Sequence, residues 1–409
     1  MKTKREFISA QITTKAEKAL KNGHPWVYGE EIKSMSGDAP KGSLVDVFCG
    51  NSWQGTGFYN PDSKISVRII SRNSNDTFNY DFWKRRIKYA IAYRRTVIDD
   101  ENFDACRIIH GEADMIPGLT VDRYNDILSV QITCFGVELI KNDIYKALKE
   151  SFEEDGVTIN GIFERNDVSL RTKEGLELYK GWYNSDGQGH PDSATVQIKE
   201  NGIIYNVDVE NGQKTGFFLD QKYNRLAASK IAKGKRVLDC FTHTGSFGLN
   251  CAAGGASHVT SVDISEDALK MARENCRLNG FDGNIDYVCA DVFEYLSDLC
   301  DKKSHEFDYI ILDPPAFTKS RDTVRDAYRG YKDICMRAMK ILPRGGYLAV
   351  CSCSHFMAED LFEKAIRTAA FDAHKQLRQI EKRTQGPDHP ILWNVPETYY
   401  LKFYIFQLI

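Results

Sequence analysis

The 409-residue chain lacks any apolar run near the roughly 20 residues that a membrane-spanning helix needs, so no membrane partner is expected. Its first residues, Met1-Lys2-Thr3-Lys4-Arg5, are charged but lack the apolar stretch of a signal peptide, and a cytoplasmic protein is the expectation. No two of the 11 cysteines form a CxxC pair, and their number is odd. That argues against a zinc ribbon and against a disulfide framework. His243 and His355 stand too far in sequence from a second ligand to suggest a metal, so no metal site is expected. Internal repeats and low-complexity tracts are absent as well.

A large charge of one sign is also missing. The formal net charge is -3, which does not suggest a nucleic-acid binder. The distribution says more: residues 1–99 carry 17 Lys and Arg against 10 Asp and Glu, on the order of what a few phosphate contacts require. The segment Tyr80–Arg95 is the densest basic part; a solvated helix face is the alternative reading.

A chain of this length predicts two or three domains. Residues 1–73 read as short strands with turn punctuation, plus one helix around Thr14–Asn22. Residues 80–99 read as a helix, Arg107–Thr133 as a strand pair, Val137–Glu153 as an amphipathic helix and Gly161–Leu178 as further strand, a small α+β pattern. Asn184–Ser193 is polar and rich in Gly and Pro, as linkers are. From about residue 195 strands alternate with helices, the sign of a parallel sheet. The clearest strands are Arg236–Asp239, His258–Asp263, Ile285–Cys289, Phe307–Leu312 and Gly346–Cys351. The expected divisions are therefore 1–73, 74–190 and 191–409, and the fold class is α/β.

In an open parallel sheet, ligands sit beyond the carboxyl ends of the strands. Three strand ends carry suitable chemistry. In VLDCFTHTGSFG, Asp239 closes the first strand and Gly245 lies in the turn to the next helix, where small residues let a cofactor approach the backbone. The full GxGxxG is absent, which counts against a plain dinucleotide fold; the DxFxxTG form resembles motif I of RNA methyltransferases. Asp263, about 20 positions on, suits a ribose diol, since a carboxylate accepts from two hydroxyls. Asp291 ends another strand, where it could accept from an adenine amino group. Each Asp alone is equally at home as a helix N-cap; three in order point to S-adenosylmethionine. Upstream, Lys214–Gln221 offers Phe217, Phe218 and polar groups that could cover the methionine end or form core.

Asp313-Pro314-Pro315-Ala316-Phe317 follows the fourth strand. Pro-Pro stiffens the loop and fixes Asp313 as an acceptor. The motif resembles motif IV of methyltransferases acting on amino groups or bases and does not decide between them. The next strand ends in Cys351-Ser352-Cys353-Ser354-His355. Cys351 reads as a buried structural thiol and Cys353, beside the loop, as a nucleophile. Carbon 5 of a pyrimidine is a poor nucleophile; thiolate attack on C6 makes it reactive, and Asp313 could bind the N3/N4 edge.

These motifs resemble the large-subunit rRNA methyltransferase I family of cytosine-C5 methyltransferases. The likeness runs through GHPWVY (Gly23–Tyr28), GEADMIPGLTVDR (Gly111–Arg123), KTGFFLDQ, VLDCFTHTG, DPPAF, RGYKD (Arg329–Asp333), SCS, DHP (Asp388–Pro390) and PETYYLK (Pro396–Lys402). It implies an N-terminal β-rich PUA domain, a central α+β domain and a C-terminal Rossmann-like class I methyltransferase domain. It implies S-adenosylmethionine as cofactor, RNA as partner with 23S rRNA leading, and Cys353 with Asp313 as catalytic residues. The expected cofactor set is Phe218, Gln221, Asp239, Phe241, Thr242, Gly245, Asp263, Ile264, Asp291, Val292 and Pro314. A homodimer is an open assembly. Two departures stand out: Ala316 replaces the Lys usual after Pro-Pro, and motif IV has no cysteine, so one thiol must serve. Methylation of guanine N7 or an exocyclic amine, and a non-catalytic RNA-binding role with bound cofactor, stay open. Tyr331 and Lys332 read either as RNA contacts or as a solvated helix face, His389 as near the active site or as structuring a loop, and Trp26 as core.

Overall fold

The computed structural model describes residues 7–184, 187, 189–318 and 320–409. The charged run Met1–Arg5 and, within the expected linker, Ser185, Asp186 and Gln188 lie outside the described residues. The chain forms two compact units. The first comprises Met1–Ile198, Val207–Leu219 and Pro387–Thr398; the second comprises Lys199–Asn206, Asp220–Gly386 and Tyr399–Ile409.

The first unit holds a six-stranded sheet in the order Trp26–Tyr28, Ile65–Ser71, Ser52–Tyr59, Leu44–Cys49, Ile8–Ile12, Ile32–Met35. Its alternating apolar positions, Val45, Val47, Val67 and Ile69, pack with Ala16 and Leu20 of the helix Thr14–Lys21. Thr13 caps that helix by accepting from the Ala16 N–H at 3.2 Å, one of the donors a helix start leaves unpaired. A five-stranded sheet runs Tyr179–Trp182, Gly161–Asn166, Ile127–Ile132, Leu119–Tyr124, Ala105–His110. The expected strand pair over 107–133 is thus three strands, because the turn at Asn125 (φ 56) adds a hairpin. The expected single helix over 137–153 is two, Phe135–Leu139 and Lys141–Glu154, interrupted where Ile140 leaves helical geometry at φ -111.

The second unit is built on seven strands: β1 Arg236–Cys240, β2 His258–Asp263, β3 Ile285–Cys289, β4 Tyr309–Leu312, β5 Tyr347–Ser352, β6 Leu377–Arg383 and β7 Lys402–Leu408. Their order is β3-β2-β1-β4-β5-β7-β6. β1 to β5 are parallel, while β7 enters antiparallel between β5 and β6. Helices cover the sheet faces, so β1, β4 and β5 are buried apolar runs, as parallel strands are. The order reverses between β1 and β4, which opens a crevice at their carboxyl ends. The parallel pattern starts at Arg236 rather than near 195: Thr195–Glu200 and Ile203–Asp208 form a separate two-stranded hairpin. Its turn, Asn201-Gly202, has φ of 53 and 83, the left-handed pair that such hairpins need.

Candidate active site

The turn that leaves β1 is held in an unusual backbone. Phe241 (φ 63), His243 (φ 51) and Gly245 (φ 83) are all left-handed, costly for the two non-glycine residues. Three bonds hold it: the Thr242 N–H donates to the Val262 carbonyl at 3.0 Å, the Gly245 N–H to the Thr242 carbonyl at 2.9 Å, and the His243 N–H to Asp263 Oδ2 at 2.9 Å. The helix Ser246–Ala253 then starts against β1. A side chain at Gly248 would meet Ser261 Oγ at 2.7 Å and Asp239 Oδ2 at 3.1 Å, so glycine alone lets helix and strands approach.

Asp239 lies beneath this turn, buried. Its Oδ2 accepts from the Thr242 hydroxyl and, at 2.8 Å, from the Gly248 N–H. Its Oδ1 is buried with no hydrogen-bond partner. Burial pushes its carboxyl up to about 7, helped by the charges of Asp313 and Asp263 and opposed by the two donors.

At the end of β2, Asp263 is half-buried, with Oδ1 taking the Ser265 N–H at 2.9 Å. Ile264 beside it is 70% exposed. Asp291 after β3 does cap its helix: Oδ1 accepts from the N–H groups of Phe293 at 2.8 Å and Glu294 at 3.1 Å. Val292 is buried in the sheet core.

The β4 and β5 ends meet across the sheet. Asp313 Oδ1 accepts from Gln221 Nε2 at 2.9 Å; Gln221, nearly fully buried, is steadied by Asn224 Nδ2 on its Oε1 at 2.7 Å. Pro314 is buried, and its carbonyl faces Cys353 Sγ at 3.9 Å. Ser354 Oγ and the Thr318 backbone link the two loops at 3.4 and 3.5 Å. Cys351 is fully buried, and burial pushes its thiol well above the ordinary range, whereas Cys353 is partly exposed.

Gln221, Asp239, Phe241, Thr242, Gly245, Asp263, Ile264, Asp291, Val292, Asp313, Pro314 and Cys353 all belong to the second unit. Phe218 belongs to the first, with Lys214 Nζ 4.5 Å above its ring, and Phe217 is core there, its N–H on Tyr124 Oη at 3.0 Å. Tyr331 is neither an RNA contact nor solvated: it is fully buried, packs on Phe317 at 4.6 Å and faces Cys353 and Asp313. Lys332 pairs with Asp372 at 2.6 Å. His389 is buried in the first unit on Asp388 at 3.0 Å, and Trp26 is half-buried with its indole N–H on Glu112 at 2.9 Å.

Two residues escaped sequence reasoning. Gly248 had a signal, a second glycine three places after Gly245. Lys402 had none beyond its place in PETYYLK. It is almost fully buried, donates to the carbonyls of Ser354 at 2.8 Å and Tyr400 at 3.0 Å, and burial pulls its ammonium down to about 8. Among the described residues no group of His, Cys, Asp and Glu is arranged to hold a metal ion, and no helix is long and apolar enough to cross a membrane.

A family model for S-adenosylmethionine-dependent methyltransferases matches residues 182–400, and one for PUA-like domains matches residues 10–72. A ribosomal RNA large subunit methyltransferase I from Aliivibrio fischeri is 38% identical over 98% of this chain and 100% of its own length. One from Shewanella denitrificans is 41% identical over 97% of this chain and 98% of its own. The chain belongs to the ribosomal RNA large subunit methyltransferase I family. Among solved structures, a Streptococcus mutans chain described as a SAM-dependent methyltransferase superposes with a TM-score of 0.81 at 22% identity, covering 98% of this chain and 99% of that one. A second, described as a methyltransferase complexed with SAH, gives 0.82 at 22% identity over 98% and 99%. Both show the same fold.

The family's cofactor is S-adenosylmethionine, and the residues at the β1 and β2 ends fit it chemically. Asp239 Oδ1 is a buried oxygen without a donor, a lack that an α-ammonium group would fill. Asp263 is a half-buried carboxylate at a strand end. The exposed Ile264 offers apolar cover for a flat ring. Asp291 keeps its second oxygen beyond the one that caps the helix.

Proposed function

We propose that this chain methylates C5 of a cytosine in 23S rRNA, with Cys353 as the nucleophile. The observation that carries the reading is the partly exposed Cys353 thiol against the Asp313-Pro314 loop, 3.9 Å from the Pro314 carbonyl. S-adenosylmethionine supplies an electrophilic methyl carbon, and Gln221, Asp239, Phe241, Thr242, Gly245, Asp263, Ile264, Asp291, Val292 and Pro314 are the residues we assign to holding it. The Cys353 thiolate forms a bond to C6 and the C5=C6 electron pair moves to C5, making it nucleophilic. Asp313, oriented by Gln221, accepts from the base's amino edge. Once C5 carries the methyl, its proton passes to water, the C5–H electron pair re-forms C5=C6, and the C6–S bond breaks with its pair returning to the Cys353 sulfur. Residues 1–73 and 74–190 serve as the RNA-binding and central segments of this reading, and 191–409 as the catalytic one.

Labelled cofactor and unmodified 23S rRNA test it, with nucleoside mass spectrometry as readout. The expected product is 5-methylcytidine, and Cys353→Ala should lower turnover at least roughly a thousandfold. A methyl group on guanine N7 or on an exocyclic amine would overturn the reading, as would full turnover in the variant.

A further inference from the structure

Lys402 is the first residue of β7, and its Cα pairs with Ser352 at the last position of β5. The antiparallel entry of β7 therefore sets a lysine level with the strand end that carries Cys353. Its side chain is only 2% exposed. Two of its three N–H donors are used by the Ser354 and Tyr400 carbonyls. Among the described residues no carboxylate forms an ion pair with it. Glu359 acts on it only from farther off, and that carboxylate is held by Lys382 at 2.7 Å and Tyr404 at 2.9 Å. The Tyr399 ring lies 5.7 Å from its Nζ and adds a weak neutral contact. A buried ammonium with only neutral partners is costly unless an anion completes its shell.

The groups around the strand end narrow the choice of anion. Asp313 is oriented by Gln221, and its charge opposes a thiolate. Cys351 and Tyr331 are fully buried and burial holds both protonated. Cys353 is partly exposed, so its proton can leave to solvent, and Lys402 is within electrostatic reach of it.

We propose that Lys402 is the counter-cation that holds Cys353 as a thiolate, a positioning residue for the nucleophile. The S–H bond breaks, the proton passes to water, the electron pair stays on sulfur, and Lys402 keeps its three protons. The proposal gains its purpose from the nucleophile reading above, but the ion pair itself needs no RNA to be detected.

The test is the pH profile of iodoacetamide alkylation at Cys353, read by peptide mass spectrometry on the full chain, with exposed Cys289 as internal reference. In the unmodified protein Cys353 should reach half-maximal reactivity at least about one pH unit below Cys289. Lys402→Met should raise the Cys353 midpoint by about one unit or more, slowing alkylation near neutral pH about tenfold, and Lys402→Arg should restore much of it. A folded Lys402→Met protein with an unchanged midpoint overturns the proposal. Should that variant fail to fold, the unmodified protein decides: a Cys353 midpoint at or above that of Cys289 overturns the pair, and a lower one supports it. A low midpoint together with methyl found on guanine would instead sink the cytosine reading and leave the ion pair standing.

Discussion

In the first unit buried guanidinium groups meet carboxylates: Arg94 grips both oxygens of Asp114, Arg171 meets Glu138 at 2.9 Å and Arg123 meets Asp104 at 2.8 Å. Arg107 holds Asp122 by two bonds of 2.7 Å, while its own N–H donates to Asp388 at 3.0 Å. The second unit has such a pair in Arg225 and Glu200, but its strand ends are built otherwise. Lys402 meets two carbonyls and the Tyr399 ring but, among the described residues, pairs with no carboxylate, and one oxygen of Asp239 meets nothing. A satisfied pair fixes structure. An unsatisfied group keeps its interaction for a ligand or a reacting atom, which is why perturbed ionisation gathers at functional sites.

The contrast can be broken by mutation. The largest effect on stability should come from Arg94→Met, which strands Asp114 and two carbonyl partners; a loss of about 3–5 kcal/mol in denaturant unfolding is expected. A loss below about 1 kcal/mol would show that the network is not structural.

Asp239 comes next. Its folded carboxyl stands at about 7 against an ordinary 3.8, so the folded chain prefers it protonated. The stability this contributes is full below about pH 4 and is lost as pH rises through about 7. The melting temperature of the cofactor-free protein should therefore fall from pH 5 to pH 8 by calorimetry, and Asp239→Asn should flatten that slope. The same variant should weaken cofactor binding about tenfold by titration calorimetry; undiminished binding would remove Asp239 from the cofactor site.

Lys402→Met, the same kind of change as at Arg94, should alter stability by no more than about 1 kcal/mol, since relief from burying the ammonium offsets the two carbonyls left behind, and the partly exposed Cys353 can take up a proton from solvent instead of being stranded as an anion. A loss like that at Arg94 would erase the distinction between the two regions. The smallest effect belongs to the exposed pair of Lys88 with Glu154: Lys88→Ala should leave the melting temperature unchanged within error.

Much of the methyltransferase sheet was legible. β1, β4 and β5 are apolar runs with Asp239, Asp313 and Cys353 at or just past their ends, and Ser265 and Asp291 announce their helices as N-caps. β6 was not legible, because LRQIEKR alternates polar residues on an edge strand with little burial. The basic segment Tyr80–Arg95 showed its charge in the sequence but not its partners. Lys84, Lys88 and Arg95 find Glu150, Glu154 and Asp155, all on or just beyond the helix Lys141–Glu154, so most of that charge is neutralised within the first unit. Tyr331 had a signal that went unread: Ala327, Tyr331, Ile334, Cys335 and Ala338 fall on one buried helical stripe.

The sequence alone determined which residues end the parallel strands, because alternation, apolar runs and caps are local consequences of helix and strand geometry. It also determined the family and its cofactor. Only the tertiary structure decided which charges are satisfied and which are not. Partners such as Arg94 and Asp388, or Lys402 and Ser354, are brought together by chain paths that no local pattern encodes. The antiparallel entry of β7 was likewise settled only when the sheet closed around it, and that entry set a buried lysine beside the end of β5.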